Sequence, residues 1–257
     1  MSLQSPPTTL PTRRLGDSEF EVSAVGLGCN NFGGRLGAEG TAAVLEAALA
    51  AGITFFDTAD IYGGGGGSES LMGEALAGRR DEYVLTTKFG MEMRGAEAES
   101  APDAPRGSRE YLRWAVEGSL RRLRADRIDL YQYHEPDGVT PIAETLAALG
   151  ELVDEGVVTA IGCSNFSAAE LEQADRVSRE QGLPRFVTLQ NHYSLLERGI
   201  EPIDVAIAGL LAQPAVASVI AGATKPEQIK ANVGALRWAP SAADLEELDR
   251  IAPTPRR

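Results

Sequence analysis

Five short apolar runs in this 257-residue sequence each stop on side chains that can do chemistry. Thr54-Phe55-Phe56 ends in Asp57, Val84-Leu85-Thr86-Thr87 in Lys88, and Leu130-Tyr131-Gln132-Tyr133 in His134. Ala160-Ile161-Gly162-Cys163 ends in Ser164-Asn165, and Val187-Thr188-Leu189 in Gln190. A carboxylate, an ammonium, an imidazole and several amides brought to one rim make a ready site for polarising a carbonyl. Tyr62, five residues after Asp57 in Asp57-Thr58-Ala59-Asp60-Ile61-Tyr62, supplies an acid. A free phenol titrates near about 10; an adjacent Lys88 ammonium is expected to lower that value by stabilising phenolate, with Asp57 holding the ammonium in place. Singly, each has a plainer explanation: Asp57 as a turn cap, Lys88 as a solvated lysine, His134 as a hydrogen-bonded loop histidine. Their shared place at the ends of apolar runs is harder to dismiss.

These runs belong to a longer alternation. Strands are expected over 24–28, 54–57, 83–88, 128–134, 158–164, 186–190 and 218–222. Between and after them, residues 41–51, 68–76, 108–122, 141–155, 168–181 and 226–236 carry apolar residues at helical spacing, and 242–251 forms a further helix. Gly52, Gly156 and Gly182 stand where helix ends favour a left-handed residue. Such repeated βα units argue for a parallel sheet, and in a parallel α/β barrel the catalytic groups sit at the carboxyl ends of the strands. Residues 13–22 alternate around Gly16-Asp17 and read as a small hairpin plugging one barrel end. No linker or composition shift divides the chain, so residues 1–257 read as one domain.

Composition excludes other classes. Lys and Arg number 24 against 37 Asp and Glu, a formal net charge of -13, which repels nucleic acid. No apolar run reaches membrane-spanning length, and residues 1–12 lack an export signal. Cys29 and Cys163 lack metal-ligand spacing and fit a reduced, cytoplasmic setting rather than a disulfide or zinc site. The five glycines at 63–67 lack the following Gly-Lys-Ser/Thr of a phosphate cradle and read as a flexible loop beside the site. His192 reads as a solvated or structural loop residue, with a substrate-pocket role as the other reading.

In order along nearly the whole chain, the motifs resemble the aldo/keto reductases. The resemblance rests on Gly26-Leu27-Gly28 with Asn31-Phe32-Gly33, Phe56-Asp57-Thr58-Ala59-Asp60-Ile61-Tyr62-Gly63 with Ser68-Glu69, and Thr87-Lys88-Phe89-Gly90. Asp129-Leu130-Tyr131-Gln132-Tyr133-His134-Glu135-Pro136-Asp137, Gly162-Cys163-Ser164-Asn165-Phe166 and the segment from Gln190 to Arg198 follow. It implies a (β/α)8 TIM barrel of the α/β class that transfers hydride between nicotinamide and a small-molecule carbonyl or alcohol. Asp57, Tyr62, Lys88 and His134 match the family's catalytic tetrad: Tyr62 the general acid, Lys88 its modulator, Asp57 the partner of Lys88, and His134 the group orienting the carbonyl. Ser164, Asn165 and Gln190 match positions that bond the nicotinamide carboxamide. Gly222, Thr224, Lys225, Gln228 and Asn232 match the phosphate and adenine site, where a helix starting near Pro226 would offer bare backbone N–H groups. Lys225 favours NADP(H); Gln228, standing where many relatives carry arginine, keeps NAD(H) as the other candidate. No metal is implied.

One piece of the pattern is short. From Gln190 to Ser218 there is room for one helix and its loops, whereas a complete barrel needs helix, strand and helix, roughly 35 residues or more. Residues 197–201 read as entry to the sixth helix and 203–211 as the end of the seventh, so the break falls near Glu201-Pro202. The resemblance assigns the lost stretch a seventh strand, an aromatic residue stacking on nicotinamide, and a loop over the pyrophosphate. Without it the flanking strands either pair directly or leave open edges. A cofactor-binding regulatory or catalytically degenerate barrel is therefore the alternative, and a third reading makes Lys88 a Schiff-base lysine.

Overall fold

Why the apolar runs become strands is clear from their burial: a parallel strand covered on both faces must be apolar along its length. In a computed structural model, which describes residues 10–191 and 203–251, seven strands form one parallel sheet, the inner five buried along nearly their whole length and the two at the edges half-exposed. In chain order they are β3 (Val25–Gly28), β4 (Phe55–Asp57), β5 (Val84–Phe89), β6 (Ile128–Tyr133), β7 (Val158–Ser164), β8 (Thr188–Gln190) and β9 (Val219–Gly222). Before them β1 (Thr12–Arg14) and β2 (Glu21–Ser23) pair as the expected antiparallel hairpin. The sheet order is β8-β7-β6-β5-β4-β3-β9. It is a curled sheet of the TIM-barrel type; among the described residues β8 and β9 do not pair, so two edges stay open.

Each crossover carries a helix: α1 (Ala38–Ala50), α2 (Gly67–Ala75), α3 (Arg109–Leu123), α4 (Ile142–Asp154), α5 (Ala168–Gln181) and α6 (Ile203–Leu211). After β9 come α7 (Pro226–Gly234), a 3₁₀ turn (Ala235–Arg237) and α8 (Ala242–Ile251). Their ends follow local chemistry. Ser167 and Glu170 form a reciprocal capping box on α5, and Gly182 closes it in the left-handed region at φ 66°. Gly52 and Gly156 adopt φ of 81° and 73°, as their positions after α1 and α4 suggest. The expected break near Glu201-Pro202 and His192 lie outside the described residues.

Apolar side chains lie in two layers. Outside the sheet, Val44, Leu45 and Ile229 pack on Leu27 and Phe56, while Leu112, Leu146 and Leu149 pack near Tyr131 and Ile161. Inside, the hairpin's Leu15 and Val22 close over Phe55, Leu130 and Ala160, plugging the end opposite the polar residues. Among the described residues no helix is long and apolar enough to cross a membrane.

Candidate active site

Parallel register decides which residues meet. Asp57 lies level with Gly28 and Thr86, and Lys88, two residues beyond Thr86, lies level with Gln132. Gln132 is level with Gly162, Gly162 with Thr188, and Ser164 with Gln190. Because side chains alternate, the residues of this row and those two beyond it point into one interior.

The centre is a buried ion pair. Lys88 Nζ donates to Asp57 Oδ1 and Oδ2, both at 2.7 Å, and to the Thr58 carbonyl at 2.9 Å. Lys88 is 1% exposed and Asp57 3%. Burial pulls the lysine's pKa down, but the charge of Asp57, then Tyr62, outweighs it and the net direction is up. An amine held as ammonium on three acceptors is a poor nucleophile, which argues against the Schiff-base reading.

Tyr62 reaches this corner because the loop after β4 continues the ladder. Thr58 N–H donates to Thr86 O at 3.0 Å and Asp60 N–H to Lys88 O at 3.1 Å. Its ring centroid lies 5.1 Å from Lys88 Nζ and 5.8 Å from the ring of His134, which it meets edge-on. Lys88 acts on the phenol in the expected direction, yet burial is the larger effect and the pKa of Tyr62 goes up, not down. The sequence-based expectation is corrected here: proximity to a cation is readable from spacing, desolvation is not.

The five-glycine run, expected as a flexible loop beside the site, takes a wound conformation. Gly63, Gly64, Gly65 and Gly66 all have φ between 72° and 97°, a left-handed stretch that residues with a Cβ do not sustain. Gly65 N–H donates to Ile61 O and Ser68 N–H to Tyr62 O, so the winding fixes the loop that carries Tyr62. A Cβ on Gly65 would lie 1.9 Å from Arg94 O.

His134 follows β6, anchored by its N–H on Phe89 O at 2.8 Å. It is buried, and burial, followed by the Lys88 charge, lowers its pKa to about 3, so the imidazole is neutral. Its Nδ1 has no hydrogen-bond partner.

The amides close the other side. Ser164 Oγ donates to Gln190 O at 2.6 Å, and Asn165 Nδ2 donates to His134 O at 2.9 Å and Ser164 Oγ at 3.2 Å. Asn165 holds a left-handed backbone, φ 57°, which asparagine tolerates better than most residues. Gln190 reaches across the interior, its Nε2 donating to Asp57 Oδ2 at 2.9 Å. Gln132, which sequence reasoning passed over as a site residue, sits between them; its signal was a polar residue in phase with Leu130 and His134 along the strand.

A second buried cluster lies behind the first. Glu69 accepts from Thr87 Oγ1 at 2.5 Å and from Arg122 Nε at 2.7 Å. Asp60, fully buried with neither oxygen partnered, has its pKa raised well above the carboxylate range by burial and then by Glu69.

The segment after β9 stands apart. Gly222, Lys225 and Gln228 are exposed, Thr224 is half-buried and Asn232 is buried with its Nδ2 unpartnered. The N–H groups at the start of α7 are not all bare as expected: Gln228 Oε1 accepts from Thr224 N at 2.6 Å and Lys225 N at 3.1 Å. A glutamine three residues into a helix folds back onto the cap position, which spacing allows and an arginine there would not do. Among the described residues, no cluster of His, Cys, Asp and Glu could hold a metal ion.

Fold and rim together define a parallel α/β barrel-type protein whose buried charged and polar groups gather at the carboxyl ends of its strands. Residues 24–202 match the model of the aldo/keto reductase family, and the chain belongs to that family. It is 39% identical over 194 residues to "Probable aldo-keto reductase 1" of Glycine max, covering 73% of this chain and 53% of that protein. It is 38% identical over 193 residues to "Aldo-keto reductase YhdN" of Bacillus subtilis (strain 168), covering 73% of this chain and 55% of that one. The chain thus spans about half the length of these two relatives. Over 250 residues it is 36% identical to "Uncharacterized oxidoreductase YrpG" of the same Bacillus, 92% of this chain and 74% of that protein.

Proposed function

We propose that the chain catalyses NAD(P)H-dependent reduction of an aldehyde or ketone to the alcohol, or the reverse oxidation, with Tyr62 as general acid and NADP(H) preferred over NAD(H). The observation that carries this reading is the buried Lys88 ammonium, 2.7 Å from both oxygens of Asp57 and beside the rings of Tyr62 and His134. Nicotinamide, when bound, supplies the hydride. Tyr62, its pKa raised, stays protonated at neutral pH and gives its phenolic proton to the carbonyl oxygen as negative charge builds there. Lys88 stabilises the phenolate left behind, and Asp57 keeps Lys88 cationic. His134, neutral above its pKa of about 3, donates one N–H to the same oxygen and orients it without competing as the acid.

The residues available fit the cofactor. Asn165 uses its NH₂ within the protein and leaves its carbonyl for a carboxamide, with Ser164 and Gln190 alongside. At the other end, Gly222 is open, Asn232 has a buried NH₂ without a partner, and Gln228 would release the Thr224 and Lys225 N–H groups to a phosphate. Exposed Lys225, without an ion pair among the described residues, supports the preference for a 2′-phosphate. Two buried free thiols fit a reducing, cytoplasmic compartment.

The test is loss of NADPH absorbance with a panel of aldehydes and ketones, run on the wild type and on Tyr62→Phe. The variant should lose about 10²-fold or more of the rate; full retention of activity sinks the mechanism. Nucleotide binding with no turnover on any carbonyl would select the cofactor-binding, regulatory reading instead.

A further inference from the structure

We propose that Gln132 is a positioning residue that locks the amide of Gln190 onto the Asp57 carboxylate, so that a ligand engaging Gln190 is felt at the Lys88–Asp57 pair. This inference rests on the reading of Gln190 as a nicotinamide-binding residue.

The geometry is specific. Gln132 is 1% exposed and points into the same layer as Lys88. Its NH₂ has two hydrogens and three acceptors within reach: Gln190 Oε1 at 2.8 Å, Thr86 Oγ1 at 3.1 Å and Asp57 Oδ1 at 3.4 Å. The two shorter contacts take the hydrogens. Gln190 is then fixed at both ends, its Oε1 facing a donor and its Nε2 facing Asp57 Oδ2 at 2.9 Å. Turning the amide over would set NH₂ against NH₂ and a carbonyl against a carboxylate. One N–H and one lone pair of Gln190 remain for a ligand, and bonds in such a chain polarise one another. The layer is shaped for this. A Cβ on Gly162 would lie 2.4 Å from Thr188 Oγ1 and 3.2 Å from Gln132 Cγ, so a side chain there would push into Gln132's place.

A merely structural Gln132, satisfying Thr86 and nothing more, would affect stability alone. Gln132→Met keeps the volume and removes the donor. In the full-length chain it should weaken NADPH, measured by nucleotide fluorescence, about 5-fold while leaving 2′,5′-ADP, which lacks nicotinamide, unchanged. It should also move the pH profile of kcat, and adding Gln190→Met to it should cost little more, since both act on one chain of bonds. An unchanged ratio of NADPH to 2′,5′-ADP affinity, with an unchanged pH profile, overturns the inference. If the wild type binds neither nucleotide, the proposed function fails and a separate readout decides the positioning role. The nitrogen-15 side-chain amide signal of Gln190, identified by its loss in Gln190→Met, should shift in nucleotide-free Gln132→Met; a signal that stays in place overturns the role of Gln132.

Discussion

The middle of the sheet and its two edges are built to different standards. On β4, β5 and β6, each paired on both sides, the polar residues are buried and short in their hydrogen bonds, and Lys88 and Asp57 neutralise each other; Glu69 on α2 and Arg122 on α3 do the same behind them. On β8 and β9, paired on one side among the described residues, the strands are half-exposed, Leu189 stands 43% open, and Lys225 and Gln228 face solvent. A strand held by two neighbours fixes where its side chains emerge, and a buried charge there must be answered by another. An edge strand fixes less and demands less. Under the proposed function, the groups that move protons lie in the first region and most groups that hold the cofactor lie in the second. Gln190 bridges the two, on an edge strand but bonded to Asp57.

Substitutions in the middle should therefore damage both fold and rate, and those at the edge should change affinity with little cost to the fold. The largest effect is expected for Lys88→Met, which leaves the buried Asp57 carboxylate unanswered: about 3–5 kcal/mol of stability by urea denaturation, with reduction lost. If Lys88→Met folds as stably as wild type, the contrast between the regions collapses.

Next comes acid sensitivity centred on His134. The unfolded chain protonates this histidine near 6.5 and the folded protein only near about 3, so its contribution is fully present above pH 6.5 and is lost as pH falls through that window. Well inside the window the slope is about 1.4 kcal/mol per pH unit. His134→Gln should remove that part of the slope in urea titrations at successive pH values; an unaltered slope would show that His134 charges freely.

At the edge, Lys225→Ala should leave the melting temperature within error and weaken NADPH about 5-fold with NADH untouched, the worth of one exposed charge on a phosphate. Equal loss for both nucleotides would move the 2′-phosphate elsewhere. The smallest effect is expected for Gln228→Ala, which frees the Thr224 and Lys225 N–H groups at a cost of about 0.5–1 kcal/mol to α7. A several-fold gain in nucleotide affinity would accompany it if phosphate and Gln228 compete for those N–H groups.

Much of this is legible in the sequence alone. Apolar runs closed by Asp57, Lys88, His134 and Ser164 are strands because parallel pairing buries both faces, and the run closed by Gln190 pairs beside them as an edge. Their last residues share a rim because every crossover in a parallel sheet returns the chain to the same end. The hairpin at Gly16, the helix-ending glycines and the shortage after Gln190 could be read by the same local rules. What was missed was missed for a physical reason. Gln132 looks like any polar residue in a strand until register sets it level with Lys88 and Gly162. The glycines at 63–66 show no one conformation in the sequence; their left-handed winding, and the close approach of Gly65 to Arg94, belong to the tertiary structure.

By itself, then, the sequence determined the order of elements, the end of the sheet where charged and polar groups gather, and the kinds of groups delivered there, because hydrophobic period and turn chemistry are local. Only the tertiary structure decided which way Tyr62 titrates and that Gln190 answers to Asp57. Each of these depends on desolvation or on distances between residues far apart in the chain, and neither quantity exists until the strands lie side by side.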